Sequence, residues 1–499
     1  MLDRFDPGLD PQFAAIDAAR LARRLAEVLP PEAVIRSAES MRPYESDGLA
    51  AYRSLPAVVV LPADAGEIAA VLRICAELGA PVVARGAGTG LSGGALPFPG
   101  GVLLGLGKLD RILAIDPEAR TARVQPGVRN LAISEAARRF GLFYAPDPSS
   151  QLACSIGGNV AENAGGVHCL KYGLTVHNIL ALEALTIEGE RLVIGSQAPD
   201  APGFDLMALM TGSEGLLAVI TEITVRLLPL PEQACALLAA FAEVGDAGRA
   251  VAEIIAAGIT PAGLEMMDAL AVEAAETYAH AGYPTGAAAI LICECDGALA
   301  DAREELEHVA ALCRAAGAAS VQFAADEAER LRFWAGRKAA FPAMGRLAPD
   351  YYCMDGTIPR RRLPQVLQRI AALSRQHGLA VANVFHAGDG NLHPLILYDA
   401  ARPGDLARAE RLGGEILELC VGVGGTITGE HGVGREKINQ MCMQFSPDEI
   451  SAFAAIKAAF DPAGLLNPGK AIPSLARCAE FGAMHVHGGK TAFADLPRF

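Results

Sequence analysis

Two histidines, His386 and His393, flank a turn-forming sequence of Gly, Asp, Gly and Asn, and apolar runs on both sides predict a strand before and after it. Neutral imidazole is a common ligand for borderline divalent metals. A third ligand could come from Glu430, which is followed directly by another imidazole, His431. Two His and one Glu leave positions open for a substrate. The pattern therefore favours a catalytic metal site over histidines that only fill a core or a turn.

A second candidate site is the glycine-rich segment 85–94, where backbone N–H groups could converge on an anion without interference from Cβ atoms. It contains the G-x-G-x-x-G pattern of dinucleotide-binding folds, but prolines and a strand from Val102 follow it instead of a helix. We therefore predict a phosphate loop between two strands, with a plain glycine-rich turn as the alternative. Its candidate cofactor residues are Arg85, Gly86, Ala87, Gly88, Thr89, Gly90, Ser92, Gly93 and Gly94.

A second run of small residues at 155–166 could lie against a flat ligand, with Ser155, Asn163 and backbone amides as hydrogen-bonding groups. Turns rich in Pro, Gly and Ser precede it, and a Lys-Tyr-Gly sequence continues it. The candidate cofactor residues of this surface are Pro126, Gly127, Asp147, Pro148, Ser149, Ser155, Gly157, Gly158, Asn159, Asn163, Gly165, Gly166 and Tyr172.

The elements that must position these residues alternate between strands and helices. A strand at 57–61, a helix at 64–78 and a strand at 81–84 lead into the glycine loop. Helical spacing also marks 13–28, 131–140 and a helix from about Leu363. Strands are predicted at 180–188 and 217–227, and an alanine-rich region beyond 233 carries helices at 245–257 and 297–316 around a strand at 288–293.

Bulk properties exclude several classes of protein. The chain has 499 residues, a net charge of −15 and a sequence pI near 5.2, so nucleic acid is not an expected partner. The first residues lack the pattern of a signal peptide, and no apolar run reaches the roughly 20 residues of a membrane span. The 11 cysteines include no Cys-x-x-Cys, which argues against an iron–sulfur cluster on this chain.

The order of the glycine loop, Gly157-Gly158-Asn159, Asn163-x-Gly165-Gly166 and the segment 211–215 resembles the FAD-binding domain of the vanillyl-alcohol-oxidase, or PCMH-type, superfamily. The resemblance implies an α+β fold with a two-subdomain FAD-binding domain at 1–230. It also implies a ferredoxin-like cap at 231–425 and a C-terminal segment at 426–499 that completes the FAD and metal site. It adds Glu214, Gly215, Ile220, Asn467 and Lys470 to the cofactor residues. FAD should be non-covalent, because the phosphate loop carries no His.

Within that superfamily, His386-x6-His393 with Glu430-His431 resembles the D-2-hydroxyacid dehydrogenases. The resemblance implies that His386, His393 and Glu430 hold a divalent metal, usually zinc, which lowers the pKa of the substrate hydroxyl. It makes His431 the base, with a fourth metal ligand as the alternative. Arg337 has a planar fork suited to a substrate carboxylate, with a solvated helix charge as its alternative.

Segments 351–360 and 478–487 resemble the FAD-linked subunits of bacterial glycolate oxidases. This implies oxidation of glycolate to glyoxylate, and also of D-lactate to pyruvate. A second FAD subunit and an iron–sulfur subunit would pass electrons to quinone. The protein would be cytoplasmic, or peripheral at the inner face of the cytoplasmic membrane through its partners. Relatives acting on larger diacids carry a Lys near Cys353 and a Thr near Phe341; their absence here favours a short monoacid.

Three other functions stay open at this point. One is a stand-alone D-lactate or D-2-hydroxyglutarate dehydrogenase. Another is a non-catalytic FAD electron-transfer or assembly subunit, against which the metal and base pattern argues. The third is a zinc hydrolase, but the sequence has no H-E-x-x-H and no nucleophile elbow.

Overall fold

The computed structural model describes residues 16–198 and 203–473. The described strands, in chain order, are β1 (Val34–Ile35), β2 (Val58–Val60), β3 (Val82–Arg85), β4 (Val102–Gly105), β5 (Ile112–Asp116), β6 (Thr121–Val124), β7 (Leu142–Phe143), β8 (Ile179–Leu185), β9 (Arg191–Gly195), β10 (Val219–Arg226), β11 (Leu228–Pro229), β12 (Gln233–Phe241), β13 (Gly263–Asp268), β14 (Ala289–Gly297), β15 (Ala318–Phe323), β16 (Asp350–Cys353), β17 (Gly356–Thr357), β18 (Val381–His386) and β19 (Asn391–Tyr398).

The described α-helices surround these strands. They are α1 (Ala18–Leu25), α2 (Ala38–Met41), α3 (Ala65–Leu78), α4 (Asn130–Ala137), α5 (Ile156–Glu162), α6 (Cys169–Tyr172), α7 (Leu206–Met210), α8 (Val244–Ala256), α9 (Ala269–Ala279), α10 (Leu299–Ala315), α11 (Glu327–Ala343), α12 (Leu363–His377), α13 (Asp405–Gly422), α14 (Met441–Gln444) and α15 (Pro447–Phe460). None of the helices within 16–198 and 203–473 has the length and apolar character that crossing a bilayer requires.

The N-terminal half contains two sheets. In the first, the order is β1-β2-β4-β3, with β4 parallel to both β2 and β3. The helix α3 crosses over between β2 and β3; Asp64 caps its first turn and Gly79 ends it in the left-handed conformation. The second sheet is antiparallel, in the order β5-β6-β10-β8-β9. The loop from β3 to β4 therefore connects parallel neighbours without a helix, as predicted, and the dinucleotide-fold interpretation is excluded.

The third sheet is large and antiparallel, in the order β15-β12-β14-β13-β18-β19-β16, with β17 paired to β19. Its strands β13, β14, β18 and β19 are buried along almost their whole length, which matches their continuous apolar runs. Helices α8, α10 and α12 pack together over part of it, and α9 and α11 pack against each other. The α+β prediction is confirmed.

The predicted elements reappear with shifts of a few residues, with two differences. The segment 155–166, predicted only as a run of small residues that could lie against a flat ligand, contains the helix α5. Its paired glycines gave no indication of a helix, because glycine disfavours helices. The strand after the histidine turn begins at Asn391, which had been assigned to the turn, so His393 lies within β19. The start of the predicted helix 13–28 and the segment 478–487 lie outside the described residues.

Candidate active site

The β18–β19 hairpin brings the two predicted metal-binding histidines together. His386 is the last residue of β18, and His393 pairs with Val384 across the hairpin. Both imidazoles are buried, and their ring centroids lie 4.9 Å apart at an interplanar angle of 85°. The turn of glycine, aspartate and asparagine is short, so the two histidines lie on neighbouring strands. Their closeness in the sequence therefore predicts their closeness in the structure.

Glu430 completes the group from a loop distant in sequence. Its Oε1 lies 3.1 Å from Nε2 of His386 and 3.2 Å from Nε2 of His393. Possible ligand atoms of these three residues all lie within 4.8 Å of one another. Because Gly165 has no side chain, the Glu430 carboxylate can lie directly against the backbone at that position. A Cβ on residue 165 would overlap the carboxylate. The predicted ligand set is thus brought to one point.

A buried carboxylate holds the loop that carries Glu430. Oδ2 of Asp355 accepts hydrogen bonds from the backbone N–H groups of Gly429 and His431, both at 2.9 Å. The ammonium of Lys437, itself fully buried, donates to the same oxygen at 3.0 Å. Burial disfavours the charge, but Lys437 and nearby histidines keep the pKa of Asp355 well below its usual range. Sequence reasoning missed this support, because nothing local marks Asp355 as a loop anchor.

His431 stacks on His393, with ring centroids 4.8 Å apart and an interplanar angle of 1°. Its Nε2 lies 3.9 Å from Oε1 of Glu430. Burial lowers the pKa of His431 to about 4, so its imidazole is neutral at physiological pH. Burial alone would raise the pKa of Glu430, but the neighbouring His386 and His393 hold it well below the usual range. A neutral imidazole and a charged carboxylate therefore face the same space.

Arg337 occupies a different place from the one predicted. Its side chain is 1% exposed, and its Nη2 lies 2.6 Å from Oε2 of Glu265, which is equally buried. Oε1 of Glu265 in turn lies 2.8 Å from Nδ1 of His386. Arg337 does not line the cavity described next. The guanidinium thus contacts a carboxylate that itself contacts His386. Its burial contradicts the solvated-charge alternative, whereas a role for Arg337 at a substrate carboxylate stays a prediction.

One cavity of about 710 Å³ runs from the glycine loop to His393, Glu430 and His431. Its volume is in the range of small-molecule and cofactor sites. The predicted cofactor residues that line it are Arg85, Gly86, Ala87, Gly88, Thr89, Gly90, Gly94, Pro126, Pro148, Ser149, Ser155, Gly157, Gly158, Asn159, Glu214, Gly215 and Ile220.

The other predicted cofactor residues do not line the cavity: Ser92, Gly93, Gly127, Asp147, Asn163, Gly165, Gly166, Tyr172, Asn467 and Lys470. Asn467 donates to the carbonyl oxygens of Gly94 at 3.0 Å and Glu214 at 2.6 Å, and Lys470 donates to Gly94 at 3.0 Å. Tyr172 instead donates to Asp296 of the third sheet at 2.6 Å. Asn467 and Lys470 thus support the backbone of the cavity wall, and Tyr172 links its own segment to the third sheet.

Several cavity residues were not predicted. Lys338, an exposed residue on α11, and the partly buried rings of Phe341 and Tyr351 line the end near His393. Glu162 lines the wall between the two ends. A cation and aromatic residues on a helix have no distinguishing local pattern, so sequence alone could not separate them from surface or core positions. Helix α11 carries both Arg337 and Lys338, and only the structure shows which one faces the cavity.

Unsatisfied polar atoms show that the residues fit a cofactor and a metal. Nδ2 of Asn159, in the cavity lining, has no hydrogen-bond partner in the described part of the chain, and nor do the two ring nitrogens of His393. Buried groups of this kind normally have partners. Acceptor atoms of a bound FAD suit the amide of Asn159. The Nε2 of His393 lies 3.2 Å from a carboxylate oxygen of Glu430 without forming a hydrogen bond, and a second imidazole lies beside it, an arrangement that suits a divalent cation.

Comparisons with known proteins agree with this fold and cavity. The family model described as FAD binding domain matches residues 56–195, and that described as FAD linked oxidases, C-terminal domain, matches 230–471. The chain is 62% identical over 495 residues to the glycolate oxidase subunit GlcD of Escherichia coli K12, covering 99% of each chain. It is 32% identical over 458 residues to a D-lactate dehydrogenase of Archaeoglobus fulgidus, covering 91% of this chain and 98% of the relative.

Among solved structures, p-cresol methylhydroxylase with bound substrate superposes with a TM-score of 0.77 at 17% identity, covering 92% of this chain and 97% of that one. Fold and cavity together define a two-domain flavoprotein of the PCMH type. The chain belongs to the FAD-linked oxidase family, as its two family-model matches cover most of its length. The predicted superfamily and the predicted FAD cofactor are thereby confirmed.

Proposed function

We propose that this chain oxidises a short 2-hydroxy acid, glycolate to glyoxylate and also D-lactate to pyruvate, as the FAD-bearing subunit of a glycolate oxidase complex. One observation carries the proposal. The group formed by His386, His393 and Glu430, with His431 beside it, opens onto the same cavity as the FAD loops. The relatives named glycolate oxidase subunit and D-lactate dehydrogenase support the same substrate class.

The oxidation removes a hydride from Cα and a proton from the hydroxyl of the acid. Bound FAD supplies a ring that accepts the hydride. A divalent cation held by His386, His393 and Glu430, with zinc as our proposal, supplies a positive charge that favours loss of the hydroxyl proton. We assign non-covalent FAD because no histidine lies in the loop 85–94.

Residues of the chain perform the remaining tasks. His431 lies in the cavity within 3.9 Å of Glu430, where its imidazole can accept the hydroxyl proton. Its stacking on His393 fixes the plane of the ring. Lys338 faces the cavity and offers the substrate carboxylate a cation, a task first assigned to Arg337.

The wall beside His393 favours a small substrate. The ring of Phe341 lies 6.0 Å from that of His393 and 6.2 Å from that of Tyr351, centroid to centroid. The cavity lining contains one arginine and one lysine. Arg85 belongs to the glycine loop, and Lys338 lies on the side of the third sheet. A second substrate carboxylate would meet aromatic carbon, so glycolate and D-lactate fit better than a hydroxy diacid.

The test is anaerobic mixing of the purified protein with glycolate, D-lactate, L-lactate and D-2-hydroxyglutarate, following the visible absorption of the flavin before and after chelation. We expect rapid bleaching by glycolate or D-lactate, lost on chelation and restored by zinc. His431→Gln should slow bleaching by about 10²–10⁴-fold, the usual contribution of a general base. His308→Gln, on an exposed position of α10, is the matched control and should be unchanged.

Two outcomes would change the proposal. Bleaching that survives complete metal removal excludes a catalytic metal. A flavin that no hydroxy acid bleaches favours the electron-transfer or assembly subunit. We further propose that electrons leave through a second FAD subunit and an iron–sulfur subunit at the inner face of the cytoplasmic membrane. Quinone reduction should therefore require those partners, whereas a soluble dye should be reduced by the isolated chain.

A further inference from the structure

Glu162 is a cavity residue to which the proposed reaction gives no task. It is the last residue of α5, and its carboxyl lies between two glycines from distant parts of the chain. A Cβ at Gly94, the end of the glycine loop, would lie 2.6 Å from Oε1 of Glu162. A Cβ at Gly432, directly after His431, would overlap its Oε2. Glu162 thus stands where the FAD-binding wall meets the loop of the metal site.

The carboxyl of Glu162 is poorly satisfied by the protein. Its Oε2 is buried and has no hydrogen-bond partner among residues 16–198 and 203–473. The neighbouring carboxylate of Glu214 accepts N–H groups from Val433 and Gly434, both at 2.7 Å. Of the two, Glu214 is therefore the better stabilised as an anion, and Glu162 is the one left to hold a proton.

The charges that face Glu162 agree with this assignment. Burial raises its pKa well above the usual range, and the carboxylates of Glu214 and Asp47 raise it further, against the opposing effect of Lys437 and Lys470. Burial and the neighbouring carboxylates therefore favour the uncharged carboxylic acid, which has an O–H to donate. Glu162 lines the cavity, so a ligand bound there can accept a hydrogen bond from this acid.

The position of Glu162 also indicates which group accepts its hydrogen bond. A flavin ring must lie beside the substrate to receive its hydride, so the ring has to end where the FAD-binding wall meets the loop of Glu430 and His431. Glu162 lies at that junction. We propose that Glu162, as a neutral acid, donates a hydrogen bond to the redox-active ring of the bound FAD and thereby raises its reduction potential. This rests on FAD occupying the cavity, but not on which hydroxy acid is oxidised.

The physical reason is electrostatic. A flavin that has taken up a hydride carries more negative charge on its ring than the oxidised form, so a hydrogen-bond donor stabilises the reduced form more. An ionised carboxylate in the same place would have the opposite effect. Glu162→Gln keeps the shape and a donor and cannot ionise, whereas Glu162→Leu removes the donor at similar volume.

The experiment measures the two-electron midpoint potential of the bound FAD against reference dyes, without substrate, together with FAD affinity by flavin fluorescence. We expect Glu162→Leu to reduce the preference for binding reduced over oxidised FAD about tenfold. This corresponds to a midpoint potential lower by about 30 mV for a two-electron couple. Glu162→Gln should remain close to the native protein. Glu304→Gln, an exposed position on α10, serves as the control.

The same titration from pH 5 to 10 gives a second readout. The native potential should fall more steeply with pH than that of Glu162→Gln, because only the native side chain ionises; Glu214, Asp47, Lys437 and Lys470 are common to both proteins. Comparing the native protein with Glu162→Gln tests the proposal even if Glu162→Leu retains no FAD. Parallel pH profiles for the native protein and Glu162→Gln would overturn the proposal. Because no hydroxy acid is present, failure of the glycolate assay and failure of this one are separate results.

Discussion

Replacing Arg337 by Met tests whether this arginine supports the metal site or binds the substrate. Its guanidinium contacts Glu265, and both side chains are 1% exposed. Removing one partner of a buried ion pair costs about 3–5 kcal/mol, because the other charge is left without compensation. We therefore expect Arg337→Met to lower the free energy of unfolding by about that amount.

Arg337→Met should also weaken metal binding, because Glu265 links Arg337 to His386. Glu265 contacts Nδ1 of His386 at 2.8 Å, which leaves Nε2 directed at Glu430. Residues that orient a metal-binding imidazole change metal affinity by about 10–100-fold when mutated. Arg337→Met and Glu265→Gln should each weaken zinc binding in that range. The double variant should lose less than the sum, because the two side chains act as one unit.

Urea unfolding can be followed by the fluorescence of Trp334, the single tryptophan of the chain, which lies on the same helix as Arg337. Zinc affinity can be measured by competition with a coloured chelator. Lys338→Met is the matched control on the next residue. It should change the unfolding free energy by less than about 0.5 kcal/mol and instead raise KM for the hydroxy acid. The reasoning would be refuted if Arg337→Met left stability and zinc affinity intact and raised KM alone.

Three further predictions concern the supports of the site. Burial opposes protonation of His168, but Asp147 and Glu294 raise its pKa to about 10; its stabilising contribution is therefore complete below pH 6.5 and lost as the pH rises towards 10. The difference in urea midpoint between the native protein and His168→Gln should accordingly shrink over that window, and a constant difference would contradict it. Asn467→Ala removes hydrogen bonds to two wall carbonyls and should weaken FAD binding about tenfold, as measured by flavin fluorescence. Asp355→Asn leaves a buried lysine without its counter-charge and should cost about 3–5 kcal/mol in urea unfolding, whereas a loss under 1 kcal/mol would argue against that pairing.

The positions of the glycine loop and the proximity of His386, His393 and Glu430 could be predicted from the sequence. The phosphate loop is local, since its glycines and the strands around it are consecutive. His386 and His393 lie on a hairpin with a short turn. Glu430 was predicted as the third ligand because it lies beside His431 in a glycine-rich turn. The functional meaning came from the resemblance to a family, which the comparisons confirm.

The supports of the site could not be predicted in the same way. Asp355 and Glu265 make their contacts across more than 70 residues of sequence, and an isolated acidic residue has no local pattern. Arg337 and Lys338 differ by one position on a helix, and a rotation of about 100° decides which faces the cavity. Hydrophobic spacing predicts a helical face only roughly, so this choice needed the packed structure.

The return of residues 466–470 to the first sheet has a consequence for biosynthesis. Leu466 pairs with Val82, and Asn467 supports the carbonyl of Gly94, 373 residues earlier. At about 5–20 residues per second, a ribosome needs roughly 20–75 s to make that length of chain. During this time the glycine loop exists without its support, so FAD should be loaded after synthesis. A message truncated between codons 432 and 465 would encode every proposed metal ligand and still yield a chain that cannot close its flavin site.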